Sequence, residues 1–337
     1  MDHTIHTVRA GRRPALRRTV DNTESSRHSY GVLQPSNAAT LLKWVGSKRQ
    51  LLPRLRRFYP PSFHRYIEPF FGSGAVFFDL QQSGRLTGRE AILIDSNPDL
   101  IGCYTQVRDH CDEVLCELEI LAAAYARDGR AHYYDVRDCR FNPVRDANRL
   151  ADGRIAYTPA LAAMFIYLNR TGFNGLFRVN RLGSFNVPAG RYDRPRICDE
   201  MRVRRAAAAL AAPGVSLRLA SFDIVGDLAS SGDFLYFDPP YAPVTRTANF
   251  TSYTSQPFGA DAQRLLQQVV VHLAGRGCHV LLSNSTAREI TALYRTRSVR
   301  DAGLRTLRVP ARRSVNSDAS RRGPVAEYLV TNVAAAR

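Results

Sequence analysis

The sequence predicts an α/β fold, a doubly wound, Rossmann-like sheet with a mostly helical insertion, and three observations carry that prediction. The first is an ordered series near the start: Tyr66-Ile67-Glu68-Pro69 as a short strand, a tight loop Phe70-Phe71-Gly72-Ser73-Gly74, a helix over 75–82, and the run Ala91-Ile92-Leu93-Ile94 closed by Asp95. A continuous apolar run ending in an acid is the pattern of a strand buried on both faces of a parallel sheet. The second is another such run far downstream, Phe234 to Phe237, closed by Asp238. The third is the stretch between them, which loses the strand–loop–helix rhythm. It holds helical sequence at 160–168 and a loop-rich part over 169–196, and returns to strand-like sequence only at 217–220.

Residues 1–38 lack apolar periodicity and are rich in Arg, Ser, Thr and Asn, so they are expected to form a disordered basic tail. Leu51, Leu52, Leu55 and Phe58 make a helix face over 50–58. After the run at 234–237 come a helix over 260–274 and strands over 279–283, 304–310 and 327–332. The expected organisation is the tail, a sheet domain from 39–100 and 213–337, and an insertion over 101–212.

Net charge is +17 and the pI about 10.1, which calls for a polyanionic partner. The longest apolar run, 160–168, has nine residues and is too short to span a bilayer. No apolar signal core opens the chain, and a soluble intracellular protein is expected. The six cysteines include no C-x-x-C pair, so reduced thiols and no metal site are expected. Of 47 basic residues only Lys43 and Lys48 are lysines, and they lie within six residues of each other. A chain that uses arginine everywhere else keeps lysine here because a compact ammonium differs from a planar guanidinium.

Two loops carry chemistry. Glycines in Phe71-Gly72-Ser73-Gly74 let the backbone turn sharply and approach a ligand. Asp95, at the end of the next strand, can accept hydrogen bonds from ribose hydroxyls. This fingerprint suits NAD, FAD or S-adenosylmethionine alike. Asp238-Pro239-Pro240-Tyr241 ends a buried strand, where an acid faces the ligand crevice of an open sheet. The prolines remove two N–H donors and leave fixed carbonyls. A carboxylate and a carbonyl can accept both N–H bonds of an exocyclic amino group while the tyrosine ring stacks on its base.

These segments together resemble a known family. Asp238-Pro239-Pro240-Tyr241 is an amino-methyltransferase signature. With Lys43-Trp44-Val45-Gly46-Ser47-Lys48, Glu68-Pro69-Phe70-Phe71-Gly72-Ser73-Gly74 and Asp95-Ser96-Asn97-Pro98-Asp99-Leu100-Ile101, the chain is similar to the Dam-type (D12 class, alpha group) DNA adenine N6-methyltransferases. The likeness runs on through Tyr167–Leu176, Gly183–Pro188, Asn249-Phe250-Thr251, Ser283-Asn284 and Arg313-Ser314-Val315-Asn316. It implies an S-adenosylmethionine-dependent methyltransferase sheet whose insertion recognises the DNA target.

The resemblance also implies roles. Asp238, Pro239, Pro240 and Tyr241 would hold the target adenine. Trp44, Lys48, Glu68, Phe71, Gly72, Gly74, Asp95 and Asp238 would contact the cofactor or shape its pocket, and Phe222 would pack on its adenine. Phe173 and Asn174 would fill the gap left by a flipped adenine. Arg178 would read guanine with Leu176 and Pro188 as apolar neighbours, and Lys43, Arg191 and Tyr192 would also meet DNA. The family usually has glycine where Ser47 stands, and a positive φ there would strain it. The resemblance further implies a monomer acting on double-stranded DNA in the cytoplasm, at the nucleoid, of a bacterium or for a phage. A GATC-like target rests on it alone, and a cognate restriction endonuclease stays open.

Residues 169–196 hold six arginines (Arg170, Arg178, Arg181, Arg191, Arg194 and Arg196) against one acid, interleaved with Phe173, Phe177, Phe185 and Tyr192. That mixture suits phosphates, base edges and a wedge into the stack. A second stretch, 288–322, has ten arginines and three acids and suits phosphate tracking. Methylation of cytosine N4 or of RNA adenine, a catalytically silent DNA-binding homologue and a dinucleotide oxidoreductase are the rival readings.

Overall fold

The computed structural model describes residues 40–241, 258–312 and 324–336. The expected tail (1–38), Asn249-Phe250-Thr251, Arg313–Asn316 and the end of the second basic stretch lie outside the described residues. Seven strands form one sheet in the order β3-β2-β1-β4-β5-β7-β6. They are β1 Tyr66–Glu68, β2 Ala91–Asp95, β3 Val215–Leu219, β4 Phe234–Phe237, β5 His279–Ser285, β6 Arg305–Arg312 and β7 Pro324–Thr331. β1 to β5 run parallel, and β7 is inserted antiparallel between β5 and β6. Strand order reverses at β1, which pairs with β2 on one side (Tyr66 with Ala91) and with β4 on the other (Tyr66 with Phe234). Segments leaving the carboxyl ends of β1 and β4 therefore diverge around a crevice, the usual ligand position in open α/β sheets.

The helices are α1 Leu52–Leu55, α2 Ala75–Gln82, α3 Pro98–Asp109, α4 Cys111–Asp135, α5 Asn142–Ala147 and α6 Pro159–Thr171. After them come α7 Glu200–Leu210, α8 Val225–Leu228, α9 Ala260–Gly275, α10 Arg288–Leu293 and α11 Arg297–Asp301. The side-chain alternation of the central strands sorts the core into two layers. Ile92, Ile94, Leu235, Phe237, Val280 and Leu282 point to a layer completed by α8, α9 and α10. Leu93, Tyr66, Phe234, Tyr236 and Leu281 point to the other, larger layer, which is continuous with α3, α4, α6 and α7. Each large side chain buried there is worth about 1.5–3 kcal/mol relative to exposure.

α2, β2 and β4 keep the limits read from the sequence. The helix expected over 50–58 is instead a chain of short turns with α1 at its centre, because Pro53 sits in its first turn and the register breaks after Leu55. α3 begins with Asn97 as N-cap, its Oδ1 accepting from the amides of Asp99 and Leu100 at 2.9 and 3.2 Å. It crosses the expected boundary between residues 100 and 101. Gly129 (φ 54°) kinks α4, and a π-helical segment Val136–Phe141 leads into α5.

Candidate active site

The loop after β1 is shaped by two left-handed glycines, Gly72 (φ 48°) and Gly74 (φ 64°). A β-carbon on Gly72 would lie 2.9 Å from Trp44 Cδ1, so the indole lies directly on the loop. The Gly72 amide donates to Asp95 Oδ2 at 2.9 Å, and the Asn97 amide donates to Oδ1 at 2.9 Å. Tyr104 of α3 donates its hydroxyl to the Gly72 carbonyl at 3.2 Å. Desolvation raises the Asp95 carboxyl to about 6, against the pull of the Gly72 and Asn97 amides. The result is a glycine cradle with a carboxylate at its rim, closed on one side by an aromatic ring.

Glu68 and Phe71 serve this loop from beneath instead of lining its open side. Gly74 has no side chain to cap α2, so Glu68 Oε2 accepts from the Phe77 amide at 3.2 Å and from Tyr66 hydroxyl at 2.8 Å. Its carboxyl is buried, and burial pushes it well above the usual range, with Tyr66 opposing and the charge of Asp238 adding to the rise. The Phe71 ring packs in the core on Phe77, Phe78 and Tyr104. Its neighbour Phe70 faces the other way and stacks on Phe222 at 5.2 Å, and Phe258 meets both rings edge-on or tilted. Phe70 and Phe258 escaped the sequence reading, since a Phe-Phe pair in a loop does not reveal which ring turns inward.

Asp238 lies at the end of β4. Its Oδ1 receives Lys48 Nζ at 2.7 Å and Ser283 Oγ at 3.1 Å, and Ser283 also bonds Tyr236 hydroxyl at 2.9 Å. Burial raises the Asp238 carboxyl, Lys48 pulls it back, and the charge of Glu327 adds to the rise. Pro240 does not keep a free carbonyl as expected, because Gln263 Nε2 donates to it at 3.1 Å. Tyr241 donates its hydroxyl to Glu327 Oε2 at 2.8 Å. Glu327 comes from β7, 86 residues downstream, and nothing in the local sequence marks it.

Both lysines hold a single ammonium against a carbonyl and the face of a tyrosine ring. Lys48 is buried, donates to the Gly46 carbonyl at 2.6 Å, and sits 4.5 Å from the Tyr241 ring centre. Lys43 Nζ sits 4.2 Å from the Tyr192 ring centre and donates to the Arg170 carbonyl at 3.4 Å. Its backbone is clamped by Asn169, which accepts from the Lys43 amide at 2.9 Å and donates to its carbonyl at 2.7 Å. Ser47 has φ −49° and is unstrained, and its hydroxyl bonds Ser73 at 2.9 Å.

Within 169–196 the structure resolves the loop-rich reading into a short hairpin. Val179 bridges Phe185, and Asn180 closes the tip by accepting from the amides of Leu182 and Ser184. Phe177 and Phe185 are core residues under the hairpin, so of the four aromatics only Phe173 is exposed, with Tyr192 half-buried. Arg170 is also buried, its guanidinium lowered to about 10 by desolvation and by Arg202, which takes it out of the set of available arginines. Arg178, Arg181, Arg191, Arg194 and Arg196 stay exposed. Arg178 Nε donates to Asn186 Oδ1 at 2.8 Å. Asn174, the one non-glycine residue with positive φ among those described, stands exposed beside Phe173, whose amide donates to the Pro188 carbonyl at 2.9 Å. Leu176 is half-buried on the same strand of the turn. In the second basic stretch, Arg288, Arg295, Arg297, Arg300, Arg305 and Arg308 are exposed.

The profile of the D12 class N6 adenine-specific DNA methyltransferases matches residues 44–307. The chain belongs to that class. The D12 methyltransferase is 33% identical to the type II methyltransferase M1.LlaDCHI of Lactococcus lactis subsp. cremoris, over 88% of its own length and 96% of the relative's. It is 34% identical to the type II methyltransferase M.MjaIII of Methanocaldococcus jannaschii, over 86% and 98%. To the DNA adenine methylase of Escherichia coli (strain K12) it is 34% identical, over 86% and 93%. The D12 methyltransferase is an adenine-specific DNA-modifying enzyme, and its mixed sheet is a methyltransferase sheet. Among its described residues no helix is long and apolar enough to cross a membrane, and no group of His, Cys, Asp and Glu is placed to hold a metal.

Proposed function

We propose that this methyltransferase uses S-adenosylmethionine, bound in the cradle of Gly72, Gly74, Trp44 and Asp95, and acts on an adenine turned out of double-stranded DNA. The observation that carries the reading is the meeting of Lys48, Asp238 and Tyr241 in the crevice beside that cradle. The donor supplies an electrophilic methyl group on a sulfonium. Asp95 accepts ribose hydroxyls, and Phe222 and Phe70 offer the adenine moiety an aromatic face. Asp238 and the carbonyl of Pro239 accept the two N6 hydrogens, and Tyr241 stacks on the base. The raised carboxyl of Asp238 suits it to receive the proton that N6 sheds. N6 lies inside a duplex, so the base must leave the stack at a cost of a few kcal/mol, offset in part by Tyr241.

In this reading residues 39–100 and 213–337 are the catalytic domain and 101–212 the target-recognition insertion. Lys43, Phe173, Asn174, Leu176, Arg178, Pro188, Arg191 and Tyr192 face DNA, with Phe173 and Asn174 filling the gap in the stack. The enzyme acts as a monomer on cytoplasmic DNA. Relatives named as type II methyltransferases favour a paired restriction endonuclease, and those named DNA adenine methylase favour a solitary enzyme at equal similarity.

Methyl transfer from labelled S-adenosylmethionine to unmethylated plasmid, read by single-molecule sequencing, tests this directly. Methyl-adenine at one short motif, GATC or a relative of it, is expected. Cofactor binding without label on DNA would overturn the proposal. Arg178→Ala is expected to relax discrimination at one base pair by about 1–3 kcal/mol while overall binding changes little. A uniform loss across sequences would make Arg178 a phosphate contact.

Asp95 gives a pH signature. Its folded carboxyl titrates near 6, above the ordinary Asp value near 3.8. Between those values the free folded state holds a proton that the unfolded chain has lost, so stability of the free enzyme falls as pH rises through this window. Ribose hydroxyls need the ionised form, so cofactor affinity moves oppositely and weakens by up to about tenfold per pH unit below 6. Calorimetric titration from pH 5 to 8 checks this, and an affinity flat across pH 6 would remove Asp95 from the cofactor site.

A further inference from the structure

We propose that Arg145 is a positioning residue for base discrimination, fixing the tip of the recognition hairpin to the first turn of α3. This rests on the reading of the hairpin as the DNA reader.

Arg145 belongs to α5, outside both the cofactor cradle and the hairpin, and nothing in its local sequence distinguishes it from its many neighbours of the same type. Its guanidinium is buried and forked on Asp99, with Nε 2.6 Å from Oδ1 and Nη2 2.8 Å from Oδ2. Asp99 is 1% exposed and takes a third bond from Tyr157 hydroxyl at 2.9 Å. A buried pair of this kind is weak as a source of stability, since apolar residues of similar volume would hold the core as well. What it supplies is direction. The remaining nitrogen, Nη1, donates to the Gly183 carbonyl at 2.7 Å. Gly183 turns the hairpin tip with φ 85°, beside exposed Arg181 and Leu182, the latter 87% exposed.

A second anchor stands one turn earlier in the chain. Asn142 accepts from the Phe185 amide at 2.8 Å and donates to its carbonyl at 3.0 Å, mimicking a strand partner. At the other end, Asp99 is held by the Asn97 cap, and the Asn97 amide is held by Asp95. Hydrogen bonds and one helical turn thus connect the Gly72 amide to the Gly183 carbonyl. The hairpin tip is thereby tied to the strand that carries the glycine loop's carboxylate. A lysine at 145 can neutralise Asp99 but cannot also hold Gly183, because it has no fork.

The experiment compares kcat/KM on the methylated motif with kcat/KM on sites changed at one base pair, for the unmodified enzyme, Arg145→Lys and Arg178→Ala. Arg145→Lys is expected to lower the discrimination ratio about tenfold or more while cofactor Kd shifts less than about threefold. Equal losses on all sites, or an unchanged ratio, would overturn the proposal and leave Arg145 a fold residue. If Arg178→Ala relaxes discrimination and Arg145→Lys does not, this inference fails and the hairpin reading stands. If neither relaxes it, the hairpin reading itself fails. Should Arg145→Lys not fold, hydrogen exchange on the unmodified enzyme decides. The amides of Asn180, Phe185 and Asn186 are expected to be protected in the absence of DNA, and exchange at free-chain rates would overturn the anchoring.

Discussion

Replacing Asp238 with alanine lowers single-turnover methyl transfer by about 10³-fold or more, with nonspecific DNA affinity changed by less than about threefold. The carboxylate has two physical duties. In the proposed function it accepts the hydrogens of the target amino group, and in the structure it neutralises Lys48, which is 5% exposed and has no bulk solvent to turn to. Removing it leaves a buried ammonium with, among the described residues, the Gly46 carbonyl and the Tyr241 ring as partners. It also removes the 3.1 Å acceptor of Ser283, leaving that hydroxyl the Phe237 carbonyl at 3.5 Å and the Tyr236 hydroxyl at 2.9 Å. Asp238→Asn separates the two duties: it keeps the volume and one acceptor but loses the charge. Near-normal turnover in either variant would move the chemistry away from this strand end.

Gly74→Ala destabilises the fold by about 2–5 kcal/mol, the sum of about 1–2 for an alanine held in the left-handed region and about 1–3 for overpacking. The added methyl would lie 2.4 Å from the Phe71 ring, which cannot yield because Phe77, Phe78 and Tyr104 surround it. If the loop is the proposed cofactor cradle, the variant is expected to lose cofactor affinity through the shape of the loop and not through any lost ligand contact. Urea unfolding followed by circular dichroism measures the first effect. A shift below about 0.5 kcal/mol would mean that the loop relaxes more freely than its packing implies.

How far the sequence could be read depended on how local each feature is. β2 and β4 were legible to the residue because each is an unbroken apolar run closed by an acid. The two lysines were legible because the rest of the chain uses arginine. Sidedness within the loop after β1 was not legible: Phe70 and Phe71 face different ways, and no period governs a tight turn. Nor was anything legible that joins distant segments. Glu327 meets Tyr241 across 86 residues and Arg145 meets Asp99 across 46, and each looks like an ordinary surface charge in its own neighbourhood. The placement of β7 between β5 and β6 is equally silent, because it is set by pairings with distant segments and not by the pattern of either strand.

That placement bears on how the protein is made. Lys48 precedes the first strand, Asp238 and Tyr241 follow the fourth, and Glu327 arrives with the last, which must slot between two strands already synthesised. A ribosome that has delivered Asp238 to Tyr241 has still not delivered the carboxylate that fixes the tyrosine. Pairings of such long sequence separation also close late and slowly. The nascent chain therefore completes this centre only once β7 has emerged and threaded between β5 and β6.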